Sequence, residues 1–243
     1  MNIVQKLKWL ILSGVTESIG EAPVNRFERK STPLKTEPIP ETEPKADVAL
    51  SQQAQMLAQE AQTLTELYQK REQFNGCSLK KTATHTVNGR GCSSPTVLCV
   101  TEAADTDDDK SGIIMDGIAG QLLNKMLGAI GLNLEQNAYV TTLVPWRPPG
   151  NRKPTETEIA CCLPFLNREI DLLKPQYILL FGGGLSQVLL GISALSKARG
   201  SWHIYRNIPV RVSIPPATLI KLPAQKKQAW EDLQAVQKKM EQN

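Results

Sequence analysis

The 243-residue sequence is poor in the residues that mark several classes of protein. Aromatic residues make up only 5%, and no apolar run reaches the ~18 to 20 residues that a membrane-spanning helix needs. The start, Met1 to Trp9, lacks the pattern of a cleavable signal peptide. Five cysteines without a CxxC pair argue against a secreted disulfide scaffold and leave metal ligation or plain buried thiols. These absences exclude membrane, collagen-like, coiled-coil and wholly disordered classes, and they predict a cytoplasmic protein.

The charge is mildly basic. Lys and Arg number 28 against 24 Asp and Glu, which gives a net charge of +4 and a pI near 8.8. This excess alone does not indicate nucleic-acid binding, because the cations must cluster on one surface. Residues 197–239 carry nine Lys and Arg but only two acidic residues. Either an anionic partner or a solvated helix face explains that local excess.

The first third of the chain divides by composition. Residues 1–23 contain an amphipathic helix from Leu7 to Ile19, and residues 24–48 form a flexible linker rich in Pro, Glu and Thr. Residues 49–73 contain no Gly or Pro and carry an apolar stripe at helical spacing, which predicts one long helix. The segment 74–243 is expected to form the globular domain.

From residue 96 onward, short apolar strands alternate with helices. The pattern predicts strands at 96–100, 138–144, 177–181 and 208–214, and helices at 117–130, 156–173, 185–190 and 225–240. Such alternation is typical of an α/β fold, a three-layer αβα sandwich with a mostly parallel central sheet, here preceded by a helical N-terminal extension. Ligands bind such sheets at the carboxyl ends of the strands, so the loops after Val100, Val144, Phe181 and Ile214 are the candidate site.

Three of these loops carry chemistry. Residues 101–112 hold five carboxylates, which suit a hard cation, a general base or merely a solvated helix cap. Residues 145–154 combine Trp146 with three cations, which suits either a nucleic acid or a rigid loop with the indole folded onto the core. The run 182–184 is three glycines, which indicates a phosphate cradle or close strand-to-helix packing. His85 and His203 are isolated and expected to be structural.

Four segments carry a resemblance to a known family. They are 119–127 (AGQLLNKML), 147–155 (RPPGNRKPT), 162–166 (CLPFL) and 223–233 (PAQKKQAWEDL), in that order. Together they resemble the type-4 uracil-DNA glycosylases, iron-sulfur members of the uracil-DNA glycosylase superfamily, from about Phe74 to Leu233. The opening helix looks like the extension of alphaproteobacterial members. The resemblance implies an αβα sandwich that flips uracil out of DNA and hydrolyses its N-glycosidic bond.

The family's site residues are only partly retained. Its GEAPG motif stands here as residues 101–105, so the resemblance assigns Glu102 to the catalytic loop and Asp108 to water activation. The base-stacking phenylalanine becomes Met115 and the base-reading asparagine becomes Thr142. The histidine of the HPAYLL motif, which stabilises charge on the uracil O2, becomes Pro215, and proline has no donor. Losing one such electrostatic partner typically costs ~10² to 10³ in rate.

The family's four cluster cysteines are also incomplete. Their positions hold Phe74, Cys77, Trp146 and Cys162, so two of four ligands for a [4Fe-4S] cluster remain and no bound cofactor is expected. Phe74 and Trp146 are expected to fill the vacated space by packing.

These departures leave three functions open. One is a degenerate glycosylase with weak or no uracil excision that still binds DNA, single-stranded or uracil-containing, through Arg147, Arg152, Lys153 and Lys221. A second is an active glycosylase for uracil or another damaged base that uses Asp108. A third is a non-catalytic scaffold that recruits a protein partner through residues 1–73, and none of the three involves a membrane.

Overall fold

The computed structural model describes residues 44–242, with side chains from Ala49 onward. The predicted N-terminal helix at 1–23 and the linker up to residue 43 lie outside the described residues. The α-helices are α1 (Pro44–Glu60), α2 (Leu64–Gln73), α3 (Thr106–Ser111), α4 (Gly117–Gly128), α5 (Glu156–Leu173), α6 (Gly183–Leu190), α7 (Leu195–Ala198), α8 (Pro216–Lys221) and α9 (Lys226–Met240). The strands are β1 (Arg90–Gly91), β2 (Val97–Ala103), β3 (Ala138–Val144), β4 (Tyr177–Phe181), β5 (Trp202–Tyr205) and β6 (Ile208–Ser213).

Within the described residues the strands form one sheet in the order β1-β3-β2-β4-β6-β5. The four central strands are parallel, with Val97 opposite Ala138 on one side and Tyr177 on the other. The edge strands β1 and β5 are antiparallel, and the sequence analysis missed both. β5 and β6 form a hairpin whose turn residues Arg206 and Asn207 have φ of 50° and 65°, as a tight hairpin turn requires. The predicted mostly parallel sheet is confirmed.

Alternate residues of the parallel strands supply two apolar cores, one on each face. Leu98 and Val100 face a core shared with α1, α2, α5 and α6. Val97 and Cys99 face a second core shared with α4, α8 and α9. Side chains at successive strand positions point to opposite faces, so strands buried on both sides read as continuous apolar runs. The predicted three-layer arrangement is therefore confirmed.

The single long helix predicted at 49–73 is wrong, because the segment forms two helices with a break at residues 61–63. Thr63 caps α2, and its side chain accepts a hydrogen bond from the Glu66 amide at 3.2 Å while Glu66 Oε2 accepts one from the Gln62 amide at 2.7 Å. Arg168 of α5 donates to the freed Ala61 carbonyl at 2.9 and 2.6 Å. The first helix also starts earlier than predicted, so the linker assigned to 24–48 ends by Pro44.

The helix pair belongs to the globular domain, which corrects the boundary predicted at residue 74. Ala54, Ala58 and Leu67 are buried in the core beneath α5. Tyr68 donates a hydrogen bond to Glu169 Oε1 at 2.6 Å, and Thr141 donates to Glu169 Oε2 at 3.0 Å. This buried contact joins α2, α5 and β3, so the part of the predicted 1–73 partner segment that the structure describes is largely engaged with its own domain.

No helix among the described residues has the length and apolar character to cross a membrane.

Candidate nucleic-acid interface

A cleft of about 440 Å³ opens at the carboxyl ends of the central strands. It is lined by residues 102–107 at the end of β2 and just beyond it, by Pro148 and residues 151–154 after β3, and by Ala217 and Lys221 on α8. The loops after three of the four strands that the sequence analysis named therefore meet at this edge, as expected of a parallel sheet.

The acidic segment is not the open loop that the sequence predicted. β2 continues to Ala103, and residues 106–111 form α3. Asp105 caps this helix by accepting hydrogen bonds from the amides of Asp107 and Asp108, and Asp109 Oδ1 accepts one from the Thr84 amide at 2.7 Å. Among residues 44–242 no group of three or more His, Cys, Asp or Glu is placed to hold a metal ion. The segment therefore caps a helix of its own, α3, which the sequence analysis did not predict. It is not the solvated cap of the next helix, because Asp108 and Asp109 are buried and the Asp116 side chain does not cap α4.

Asp108 is buried at the end of this cap, with 2% of its surface exposed. Its Oδ1 accepts a hydrogen bond from the Asp116 amide at 3.0 Å, and its Oδ2 accepts one from the Asp105 amide at 3.3 Å. Burial and the neighbouring Asp105 charge raise the pKa of Asp108 to about 6. Both oxygens thus hold the backbone of the loop, and Asp108 does not line the cleft.

The two residues that the resemblance assigned to the base pocket are buried as well. Met115 is 8% exposed and Thr142 is 1% exposed, and neither lines the cleft. The Thr142 hydroxyl can donate to either of two backbone carbonyls, that of Thr101 at 3.4 Å or that of Val144 at 3.3 Å. A hydroxyl has one proton to donate, so backbone carbonyls already engage it.

Glu102 lies beside the glycine run, where it lines the cleft. A Cβ on Gly184 would collide with the Glu102 carboxylate, so the glycine there leaves room for that side chain. Gly182 has a φ of +110°, and a Cβ on it would lie 3.4 Å from the Pro215 ring and 3.8 Å from Glu102 Oε2. The close-packing interpretation of residues 182–184 is thus the one that the structure favours, and Glu102 and Pro215 are neighbours.

The four predicted DNA-binding cations fall into two groups. Arg152 is bidentate to Glu158, at 2.9 and 2.7 Å, and this pairing raises the pKa of Arg152 and lowers that of Glu158. Arg147 donates to Asn151 Oδ1 at 2.6 Å and does not line the cleft. Lys153 and Lys221 line the cleft, and their ammonium groups have no hydrogen-bond or ion-pair partner within the described residues.

Two residues that the sequence reasoning missed connect the loops of the cleft. Asn151 donates a hydrogen bond from Nδ2 to the Thr106 hydroxyl at 3.0 Å, which joins the loop after β3 to the start of α3. No motif singled out either residue. The spacing Asp105-x-x-Asp108, which resembles a capping box, was the available signal that a helix starts beside them.

Trp146 is buried, with 1% of its surface exposed, and it donates a hydrogen bond to the Thr86 hydroxyl at 3.0 Å. The suggestion that this indole stacks on a nucleic-acid base is therefore wrong, and the alternative that it folds onto the core is correct. Phe74 packs in the same core against Phe165, with ring centroids 5.5 Å apart.

The same core contains Cys77 and Cys162. A hydrogen bond from Cys162 lowers the pKa of Cys77, and the same contact, together with burial, raises the pKa of Cys162. The four positions that the resemblance assigned to cluster ligands thus share one core, but two of them hold apolar rings. An iron-sulfur cluster with four cysteine ligands does not fit this set of side chains.

The sheet, its two helix layers and the cleft at the carboxyl edge define a three-layer α/β protein with a polar candidate site at the strand ends. A sequence model of the family described as Uracil DNA glycosylase superfamily matches residues 89–234. The match covers more than half of the chain. This chain therefore belongs to the uracil DNA glycosylase superfamily, as the resemblance indicated.

Individual relatives support the same assignment. The chain is 32% identical over 170 residues to the Type-4 uracil-DNA glycosylase of Sulfurisphaera tokodaii, which covers 66% of this chain and 77% of the relative. It is 33% identical over 170 residues to the Type-4 uracil-DNA glycosylase of Saccharolobus solfataricus, with 66% and 78% covered. For the Type-4 enzyme of Pyrobaculum aerophilum the identity is 30% over 179 residues, with 70% and 91% covered.

Proposed function

We propose that this chain is a DNA-binding uracil-DNA-glycosylase-like protein of the base-excision-repair type, whose uracil excision is weak or absent. The observation that carries the proposal is a difference in exposure between two groups of candidate site residues. Lys153 and Lys221 line the open cleft, whereas Asp108, Met115 and Thr142 are buried and do not line it.

Phosphate binding needs little more than cations that reach the backbone. The two unpaired lysines meet that need, since Lys153 in the loop after β3 and Lys221 at the end of α8 both line the cleft. Arg152 is less suited to the task, because Glu158 already occupies both arms of its guanidinium. We therefore assign Lys153 and Lys221 as the principal phosphate contacts.

Excision needs more than affinity for DNA. A flipped base must be held by hydrogen bonds and stacking, and the charge that develops on it must be stabilised. The Thr142 hydroxyl is engaged by two backbone carbonyls, Met115 supplies no ring face, and Pro215 supplies no donor. Three contributions to catalysis are thus weakened together in one site.

The proposal includes a fold that needs no iron-sulfur cluster. Phe74 and Trp146 are each 1% exposed, and they occupy the core that Cys77 and Cys162 also share. Dispersion contacts of these two large aromatic side chains stabilise this region in place of metal-ligand bonds.

A second candidate, an active glycosylase, is favoured by one observation. A buried carboxyl with a pKa of about 6 is poised to act as a general base near neutral pH. The hydrogen bonds that Asp108 accepts from Asp105 and Asp116 would have to rearrange before its carboxylate reached a water in the cleft.

The test is the salt dependence of DNA binding, measured by fluorescence anisotropy on a labelled single-stranded oligonucleotide at roughly 50 to 200 mM salt. The proposal predicts a negative slope of affinity with salt and equal affinity for matched oligonucleotides with one uracil or one thymine. Salt-independent or absent binding by folded protein would contradict it and favour the scaffold function. A clear preference for uracil would favour the active enzyme.

A further inference from the structure

A second concavity lies on the helix layer formed by α4, α8 and α9. It has a volume of about 210 Å³ and is almost wholly apolar. Its floor includes Leu219 and Leu233, which are 1% and 2% exposed, and its mouth includes Trp230, which is 39% exposed. We name it the α4–α9 groove. It is separate from the cleft, because Ala217 and Lys221 of α8 line the cleft while Leu219 lines the groove.

The two long helices present matching stripes to this groove. On α4 and just beyond its end the lining residues are Leu122, Lys125, Met126 and Ala129, and on α9 they are Lys226, Ala229, Trp230 and Leu233. Both sets follow the spacing i, i+3, i+4, i+7, so each forms a single helix face. Two helix faces that are largely apolar, with an exposed aromatic side chain, form the kind of surface that receives an amphipathic helix.

Exposed apolar side chains concentrate around these elements. Seven large apolar residues are markedly exposed within the described part of the chain, and four of them lie on α4, on α8, in the segment between α8 and α9, or on α9. These four are Ile118, Ile220, Leu222 and Trp230. Of these four, Trp230 lines the groove itself, and an exposed aromatic side chain beside an apolar concavity is typical of an interaction surface.

The charges beside the groove have one sign. Lys125 and Lys226 line it, one on each wall, and both are exposed. Of the acidic residues on α9, Asp232 is buried against Arg199 and Arg211, and Glu231 does not line the groove. A second copy of the chain would bring lysines against lysines if it docked face to face, which is unfavourable.

We propose that the α4–α9 groove binds an acidic amphipathic helix of a partner protein. The apolar face of that helix lies along Leu122 and Trp230, and its carboxylates pair with Lys125 and Lys226. This proposal is independent of the proposed function at the cleft, since no residue that lines the groove lines the cleft.

The experiment is a selection of random peptides of about 14 residues, four helical turns, displayed on phage against the full-length protein. Each selected peptide is then synthesised, and its affinity is measured for the wild type and for variants. The expected peptides carry apolar residues at helical spacing with acidic residues between them. Trp230→Ala is expected to weaken their binding at least tenfold, because exposed aromatic anchors carry much of the affinity of such interfaces.

The double variant Lys125→Glu with Lys226→Glu tests the charge argument at two exposed positions that folding does not require. It should weaken the acidic peptides at least tenfold, while Lys238→Glu, an exposed change on α9 outside the groove, leaves them unaffected. Melting curves by circular dichroism establish that each variant is folded.

Three results would overturn the proposal. The first is a selection that yields no peptide sensitive to the groove variants, or only basic or uncharged ones. The second is self-association of the wild type in analytical ultracentrifugation that Trp230→Ala abolishes, which would make a second copy the occupant. The third is displacement of the peptides by single-stranded DNA in the wild type and also in the variant Lys153→Ala with Lys221→Ala, which would assign the groove to nucleic acid.

Discussion

The cleft at the carboxyl edge and the core beneath α5 differ in how their side chains are engaged. At the cleft, Lys153 and Lys221 present unpaired ammonium groups, and a hydrogen bond from Asn151 to Thr106 connects the loop after β3 to α3. In the core, Phe74 and Trp146 are buried together with Cys77 and Cys162, at the positions that the resemblance assigned to cluster ligands.

The difference shows that the two regions tolerate change for different reasons. A phosphate contact needs one unpaired cation at the surface, whereas a metal cluster requires all of its ligands together. Once one ligand is lost, filling the space with an aromatic ring restores packing more readily than three remaining thiols could. On the proposed function, DNA binding can therefore persist in a protein whose interior holds no cluster.

The largest effect is expected from a substitution in the core beneath α5. Trp146→Ala removes a buried indole and its hydrogen bond to Thr86, and it should lower the free energy of unfolding by about 3 to 5 kcal/mol, measured by urea denaturation. Trp230→Ala, at a residue 39% exposed, serves as the control and should cost far less. A loss at Trp146 no larger than that of the control would contradict the packing account.

The same core can also be tested by introducing cysteines instead of removing aromatic rings. Phe74→Cys combined with Trp146→Cys supplies the two missing thiols beside Cys77 and Cys162. After anaerobic reconstitution with iron and sulfide, the double variant should show bound iron and the broad visible absorbance of an iron-sulfur cluster, and the wild type should show neither. Stoichiometric iron in the anaerobically purified wild type would show that the native core holds a cluster after all.

The buried Asp108 carboxyl should make the free energy of unfolding depend on pH. Its pKa of about 6 lies above that of a carboxyl in the unfolded chain, so the folded state binds the proton more tightly. The Asp108 contribution to stability therefore falls as the pH rises from about 4 to about 6 and is constant above. Between about pH 4.5 and 7.5, the wild type should lose about 2 kcal/mol relative to Asp108→Asn in urea unfolding. Equal pH dependence of the two proteins would contradict the raised pKa.

The role of the cleft in DNA binding is tested by removing Lys153 and Lys221 together. Lys153→Ala with Lys221→Ala should weaken binding to single-stranded DNA about tenfold, or about 1.4 kcal/mol, and should make the salt slope shallower by about 1.4 for two lost phosphate contacts. The melting temperature should not change, because neither ammonium group has a partner within the described residues. Lys238→Ala, an exposed lysine away from the cleft, is the matched control, and an equal effect there would indicate diffuse charge rather than two contacts.

The smallest effect is expected at the N-terminal cap of α5, where Arg152 pairs with the capping residue Glu158. Thr155 accepts a hydrogen bond from the Glu158 amide at 3.3 Å, and Glu158 accepts one from the Thr155 amide at 2.8 Å. Thr155→Ala should cost about 1 kcal/mol of stability and leave DNA affinity unchanged. A loss of affinity with unchanged stability would assign this cap to DNA binding instead.

Much of the fold could be predicted because the signals were local. β3, β4 and α5 begin and end at the predicted residues, since apolar runs bounded by polar residues and a Thr155-x-x-Glu158 cap mark them. The break at 61–63 was missed although the spacing Thr63-x-x-Glu66 signals a helix start, because the absence of Gly and Pro was given more weight. The edge strands were missed because they are short and only partly buried.

The site was less predictable, because its character depends on contacts between distant segments. The sequence placed a carboxylate at position 108, but its burial depends on the Asp116 amide and on the packing of α3. The identity of Glu158 as the partner of Arg152 was equally hidden, so three cations in one loop looked equivalent. Only the folded chain distinguishes the engaged guanidinium from the unpaired lysine.

The most direct test of the central claim is a single-turnover excision assay with excess protein on a uracil-containing single-stranded oligonucleotide, run beside the Type-4 enzyme of Saccharolobus solfataricus. The account predicts that the protein binds this oligonucleotide but excises uracil at least several hundred-fold more slowly than the relative, as the loss of an electrostatic partner requires. Excision at a rate close to that of the relative, abolished by Asp108→Asn in folded protein, would contradict it.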